Sequence, residues 1–125
     1  MNYLVCQSYA LLVYVDLTLR SKGLERLYDS LRNRLTSNVP ATGRVPYGRL
    51  CRAVDLACVF YPKTVFCLQR SAAGVLLLRR YGWPAEFVTG SDFGTFESHA
   101  WLELDGQVIN DKTYLHEMYE VLDRC

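Results

Sequence analysis

The sequence predicts an α+β fold, with helices in the N-terminal part of the chain and a small antiparallel sheet after them. Apolar residues with helical spacing recur from the start of the chain to the YGWP run. Beyond that run, alternating apolar residues flank Asp105 and Gly106, a pair that is a strong hairpin signal. Helices and strands in separate runs are typical of α+β domains. With 125 residues, half of them hydrophobic, the chain can bury the core of one domain.

The first predicted helix covers residues 3–19 and is apolar around most of its circumference. A stripe through Leu11 and Tyr14 is expected to face the domain, whereas Leu12 and Val13 lie outside that stripe. We expect the apolar surface left over to meet a partner protein. The segment is too short and too interrupted by polar residues for a membrane span, and it lacks the basic start of a secretory signal. Membrane association is therefore not expected.

Two more helices are predicted before the strongest one. Residues 22–35 and residues 46–61 both carry apolar side chains at a spacing of three or four. Residues 36–44, which contain asparagine, proline and glycine, are predicted to be an exposed loop and the best candidate for disorder. This loop divides an N-terminal helical segment, residues 1–45, from a core, residues 46–125, that carries the candidate site.

The strongest predicted helix has Cys67 in its first turn. Pro62 and the hydroxyl of Thr64 supply start signals, and Gly82 followed by a proline supplies the stop. The unpaired N–H groups and the dipole of a helix start favour an anion, so they are expected to stabilise a Cys67 thiolate. Gly74 weakens the helix, which indicates that another backbone approaches closely there.

The remainder of the chain is predicted to form strands. They cover residues 85–89, 98–104 and 107–111. Residues 90–97 are expected to form a loop, whose glycines and aromatic residues Phe93 and Phe96 suit a peptide-binding rim. The tail, residues 114–125, is expected to be a short helix or an irregular segment.

The register of the hairpin decides which residue faces His99. A two-residue turn at Asp105 and Gly106 puts Asn110 on the His99 face. A three-residue loop that ends in a glycine bulge instead puts Asp111 opposite His99, with Cβ atoms roughly 5 Å apart. Either side chain can orient an imidazole. We favour the bulged loop, because its left-handed position suits Gly106 and its partner for His99 is charged.

Cys67, His99 and Asp111 are the parts of a cysteine nucleophile site: a thiol, a general base and an orienting carboxylate. A cysteine considered alone is most often a buried core residue, but its position at a helix start ahead of a histidine strand favours a nucleophile. Trp101 shares the strand of His99 and is a candidate substrate contact, although tryptophan in such a place is more often part of the core.

Composition argues against several other functions. A formal net charge of +1 gives no electrostatic case for binding nucleic acid. The five cysteines include no CxxC pair, and with two histidines they give no ligand spacing, so no metal site is expected. Cys51 and Cys58 fall on one helical face as small hydrophobic residues. Free thiols of this kind fit a reducing cytoplasm.

The same residues carry a resemblance to a known family. The stretch CLQRSAAGVLLLRRYGWPAEFVTG, followed by SHAWLELDGQVIND, resembles the transglutaminase-like leader peptidases of lasso-peptide biosynthesis. More narrowly, it looks like the stand-alone peptidase half of their split maturation proteins; the resemblance covers residues 52–111 well and the rest of the chain weakly. The resemblance implies a transglutaminase-like (papain-like) fold and a cysteine protease with Cys67, His99 and Asp111 as its triad.

The resemblance also implies partners. The substrate would be a ribosomally made lasso precursor, cut at the leader–core junction just after a leader residue preceded by a threonine. A separate recognition protein would hold the leader, and a separate cyclase would close the macrolactam. No cofactor is implied. Two alternatives remain open: a transglutaminase or acyltransferase with the same triad, and a non-catalytic adaptor of the biosynthetic complex.

Overall fold

The structure, a computed structural model, describes residues 2–92, 98–110 and 119–125, and within them it contains four α-helices and a four-stranded antiparallel sheet. The helices are α1 (Asn2–Lys22), α2 (Leu24–Asn33), α3 (Tyr47–Phe60) and α4 (Cys67–Arg80), with a 3-10 turn at Ala41–Gly43. The strands are β1 (Glu86–Asp92), β2 (Ser98–Leu104), β3 (Gln107–Val108) and β4 (Tyr119–Arg124). The predicted α+β class is confirmed.

Helix α4 is the centre of the core. Every residue from Ser71 to Arg79 is buried, because α1 and α3 pack on one side of the helix and β2 on the other. At Gly74 an added Cβ would lie 2.8 Å from Cδ1 of Leu102. The prediction of a close approach at Gly74 is therefore right, but the neighbour is a side chain of β2 and not a backbone.

Helix α1 is buried over a wider arc than one stripe. Leu11, Leu12 and Val15 are all buried, whereas Tyr14 and Leu17 are exposed. The predictions that Tyr14 faces the domain and that Leu12 lies outside the core-facing stripe are both wrong. Helix α1 contacts α2, α3 and α4 and is covered from several directions. None of the helices in the described part of the chain is both long and apolar enough to cross a membrane.

The sheet has the order β3-β2-β1-β4 and places the tail of the chain at its edge. The prediction of a helical or irregular tail is wrong for Tyr119–Arg124, which forms β4 and pairs antiparallel with β1. The predicted loop also begins too early, since β1 continues through Gly90 to Asp92. The tail forms a strand because its backbone pairs with the second half of β1, and β1 is longer than predicted because that half pairs with β4 on one side and with β2 on the other.

The hairpin between β2 and β3 has a two-residue turn. Asp105 and Gly106 have φ angles of 53° and 78°, and Leu104 pairs with Gln107. The predicted three-residue bulged loop is therefore wrong. Positive φ at both central residues is the type I′ geometry, which matches the twist of the flanking strands and is favoured by Asp-Gly.

Candidate active site

Cys67 is the first residue of α4, as the sequence predicted. The N-cap is Phe66, which makes no side-chain hydrogen bond to the helix, so the predicted hydroxyl cap at Thr64 is wrong. Phe66 has extended backbone angles and is 65% exposed. The helix start at Cys67 therefore lacks a side-chain cap, and its backbone N–H groups and dipole give it partial positive charge.

Cys67 and His99 line the same cavity, which has a volume of about 210 Å³. The other lining residues are uncharged: Leu24, Tyr28, Leu68, Thr89, Ala100 and Leu122. Helix α4 supplies the thiol, β2 supplies the imidazole, and α2 and β4 supply the apolar walls. The structure thus brings together two of the predicted site residues that are distant in sequence.

His99 is held on β2 beside Trp101. It pairs across the sheet with Gly90, and its ring stacks on the Trp101 indole with centroids 6.1 Å apart and planes 28° apart. Trp101 itself is fully buried. The prediction of Trp101 as a substrate contact does not agree with this burial, because the ring has no exposed surface to offer a ligand.

A buried carboxylate holds the indole of Trp101. Nε1 of Trp101 donates a hydrogen bond to Oε2 of Glu103 at 2.7 Å, and Nη1 of Arg124 lies 2.7 Å from Oε1 of the same residue. The hydrogen bond to Glu103 raises the pKa of Arg124. Sequence reasoning missed Glu103 and Arg124. The alternation in HAWLE was the available signal, since it places His99, Trp101 and Glu103 on one face of a strand.

The side-chain amide of Asn110 links β2 to α4 by hydrogen bonds. Its Oδ1 accepts a hydrogen bond from the backbone N–H of Leu102 at 2.8 Å, and its Nδ2 donates to Oγ of Ser71 at 3.0 Å. The Arg70 guanidinium also donates to the backbone oxygen of Asn110. The other predicted site residues, Asp111, Phe93 and Phe96, lie outside the described residues.

A comparison with protein families identifies this architecture. The family model described as the transglutaminase-like superfamily matches residues 11–124, which is most of the chain. The chain belongs to the transglutaminase-like superfamily. The transglutaminase-like fold that the resemblance implied is thereby confirmed. Comparisons with curated proteins and with solved structures gave no match.

Members of the transglutaminase-like superfamily are generally enzymes of the cysteine peptidase or acyltransferase type. A thiol and an imidazole on one cavity suit this chemistry, because the thiol can attack an acyl carbon while the imidazole carries the proton. Both reaction types share the thioester intermediate and differ in whether water or an amine accepts the acyl group.

The other thiols of this transglutaminase-like protein lie in different surroundings. All five cysteines are free. Burial raises the pKa of Cys51 to about 11, and burial also raises the pKa of Cys58, with the Asp55 carboxylate acting in the same direction at both. Among the described residues, no group of three or more His, Cys, Asp or Glu side chains is arranged to hold a metal ion.

Proposed function

We propose that this protein is a cysteine peptidase that removes the leader from a ribosomally made lasso precursor. The observation that carries the proposal is the cavity that Cys67 shares with His99. The resemblance of the flanking sequence to stand-alone leader peptidases supplies the substrate. Hydrolysis, the lasso precursor and the cytoplasm as the site of action are all parts of this proposal.

The proposed chemistry has two steps. The Sγ atom of Cys67 attacks the scissile carbonyl carbon while His99 takes the thiol proton and passes it to the departing amine of the core peptide. Water then attacks the thioester, which releases the leader as an acid and restores the thiol. Backbone N–H groups at the start of α4 are suited to stabilise the oxyanion of each step.

Asp111 is proposed as the residue that orients His99. The amide group of its competitor Asn110 is engaged by Leu102 and Ser71, which leaves Asn110 with a structural task. The observed two-residue turn removes the register argument for Asp111, so this part of the proposal rests on the engagement of Asn110 and on the family resemblance. Phe93 and Phe96 remain proposals for the rim that receives the peptide.

The cavity also bears on the substrate. Its walls beside Cys67 and His99 are uncharged, and its volume of about 210 Å³ exceeds the ~150 Å³ of an apolar cavity that holds a benzene ring. It is therefore large enough for one side chain next to the scissile bond. A separate recognition protein is proposed to hold the leader, and a separate cyclase to use the freed amine of the core.

The proposal is tested by incubating the protein with a lasso precursor and the leader-recognition protein, with mass spectrometry as the readout. We expect two products, the free leader acid and the linear core, whose masses together equal the precursor plus one water. The Cys67→Ala variant should give neither product, and Cys58→Ala should give both.

Other outcomes favour the alternatives. If added glycine ethyl ester is recovered as an amide of the leader in place of the free acid, the protein is an acyltransferase. If the protein binds the recognition protein but leaves the precursor intact and forms no amide, it is an adaptor and the peptidase proposal fails.

A further inference from the structure

We propose that Trp101 and Glu103 are positioning residues for His99, an inference that rests on the proposed function only for the proton-carrying role of the imidazole. Neither side chain lines the cavity, and both are fully buried. They are therefore expected to act on the reaction only through His99.

The indole of Trp101 spans the distance between a fixed carboxylate and the imidazole. At one end, Nε1 donates to Glu103 at 2.7 Å. At the other end, the six-membered ring lies over Gly90, the residue paired with His99. A Cβ added at Gly90 would be 2.6 Å from Cη2 of Trp101. The glycine thus makes room for the ring on which His99 stacks.

Burying the Glu103 carboxylate costs free energy that an apolar side chain at the same position would not. A buried carboxylate loses its hydration, and that loss must be offset by its hydrogen bonds; of this pair only Glu103 is buried, since the Arg124 side chain is 42% exposed. Here both carboxylate oxygens are engaged, one by Trp101 and one by Arg124. The bond from Arg124 holds the carboxylate in place, and the bond from Nε1 to that carboxylate fixes the tilt of the indole in a way that apolar packing does not. We infer that the carboxylate of Glu103 serves to set the tilt of the indole, and that this tilt sets the orientation of His99.

The expected consequence is a loss of rate without a loss of binding. A misplacement of a catalytic group by about 1 Å can cost on the order of 100-fold in rate. Because Trp101 has no exposed surface, its replacement should leave KM for the precursor nearly unchanged and lower kcat by about 10- to 100-fold.

The test compares the two tryptophans of the chain. Trp83 is a matched control, because it also donates its indole N–H, to the backbone oxygen of Val45 at 2.8 Å, and does not line the cavity. We expect Trp101→Phe to slow alkylation of Cys67 by iodoacetamide by about 10-fold or more, and Trp83→Phe to leave it within about threefold. Equal rates in Trp101→Phe and Trp83→Phe would overturn the proposal. Glu103→Leu, which keeps the indole but removes its carboxylate, should behave like Trp101→Phe, and wild-type alkylation rates in this variant count against the proposal.

A second measurement needs neither a variant at these positions nor the precursor. The chain has two histidines, so a His116→Gln protein assigns the ring-proton NMR signals of His99. Stacking on Trp101 should shift these signals upfield through the ring current of the indole. Signals at the positions of free histidine would contradict the stacked geometry and the proposal with it. If the protein cleaves no lasso precursor, the alkylation and NMR results still decide the positioning role, because neither uses that peptide.

Discussion

The two ends of helix α4 are built in opposite ways. At the C-terminal end, the buried guanidinium of Arg79 donates to the backbone oxygens of Ala85 at 2.9 Å and Cys125 at 2.6 Å, and also to those of Leu31 and Arg34. At the N-terminal end, Cys67 is half-buried and opens on the cavity behind an N-cap that forms no side-chain bond.

The C-terminal end is also closed by its backbone. The N–H of Trp83 donates to the oxygen of Leu78 and that of Gly82 to the oxygen of Arg79, which together form a Schellman motif around a left-handed glycine. One end of the helix thus satisfies its polar groups within the fold, and the other has no side-chain cap on its first N–H groups, which we propose are available to a reacting ligand. We therefore expect substitutions at the C-terminal end to change mainly stability, and substitutions at the N-terminal end to change mainly the proposed reaction.

The largest expected effect is the loss of activity when the Cys67 thiol at the N-terminal end of α4 is removed. We expect Cys67→Ala to lower the rate of precursor cleavage by about 10⁴-fold or more, because the nucleophile is lost. The melting temperature should stay close to that of the wild type, since the substitution at a half-buried helix start favours helix formation. Cleavage assays and calorimetry check both points, with Cys58→Ala as the control. Residual cleavage by Cys67→Ala above one tenth of the wild-type rate would assign the nucleophile elsewhere.

Arg79 should show the opposite profile. Arg79→Met keeps the aliphatic stem but leaves carbonyl oxygens of three segments without their donor, so we expect a loss of about 3 kcal/mol in the free energy of unfolding. Arg80→Met, one position on and exposed, should cost less than about 0.5 kcal/mol. Urea denaturation of both variants measures the difference. Similar losses in the two would mean that the network around Arg79 contributes little to stability.

The contrast between Arg79 and Arg80 shows what the sequence alone does not predict, namely burial and hydrogen bonds that depend on residues distant in the chain. The YGWP run predicted the C-terminal end of α4 and the sequence placed Cys67 in its first turn, because helix boundaries depend largely on local chemistry, although the cap expected at Thr64 lies two residues before the observed N-cap. Nothing local distinguishes the two arginines, since the acceptors of Arg79 come from the end of α2, from the residue before β1 and from the residue after β4. Leu12 was misassigned for a similar reason: its burial depends on three other helices.

In the candidate site, too, local features could be predicted from the sequence and features that depend on distant contacts could not. The alternation in HAWLE put His99 on a strand, and the cysteine position put the thiol at a helix start, so the cavity that joins them agrees with local signals. The turn type could not be derived, because Asp-Gly suits a type I′ turn and a glycine bulge alike. Strand β4 was missed because its six residues carry no clear alternation, and its pairing with β1 is a distant contact.

A smaller effect is expected from the glycine that closes the C-terminal end. Gly82 has φ +95°, and a Cβ there would lie 2.7 Å from Cβ of Val39. Gly82→Ala should therefore lower the free energy of unfolding by about 2 kcal/mol, since strain adds to the steric contact. Gly48→Ala in the first turn of α3 meets nothing within 4 Å and should instead stabilise the protein, by up to about 1 kcal/mol. If both variants shift the denaturation midpoint in the same direction, the special role of Gly82 is refuted.

The smallest effect is expected from adding a side-chain cap at the start of α4, which has none. Phe66 has the extended backbone of an N-cap, and its exposed ring contributes little to the core. Phe66→Ser supplies a hydroxyl that can accept from the first-turn N–H groups, so it should raise the free energy of unfolding by about 0.5–1 kcal/mol. It should also slow cleavage several-fold, because that hydroxyl competes with the oxyanion for the same donors. Pro46→Ser at the N-cap of α3, which also makes no side-chain bond, is the matched control and should leave cleavage unchanged. A Phe66→Ser protein that is more stable and equally active would show that the N–H groups at the start of α4 take no part in the reaction.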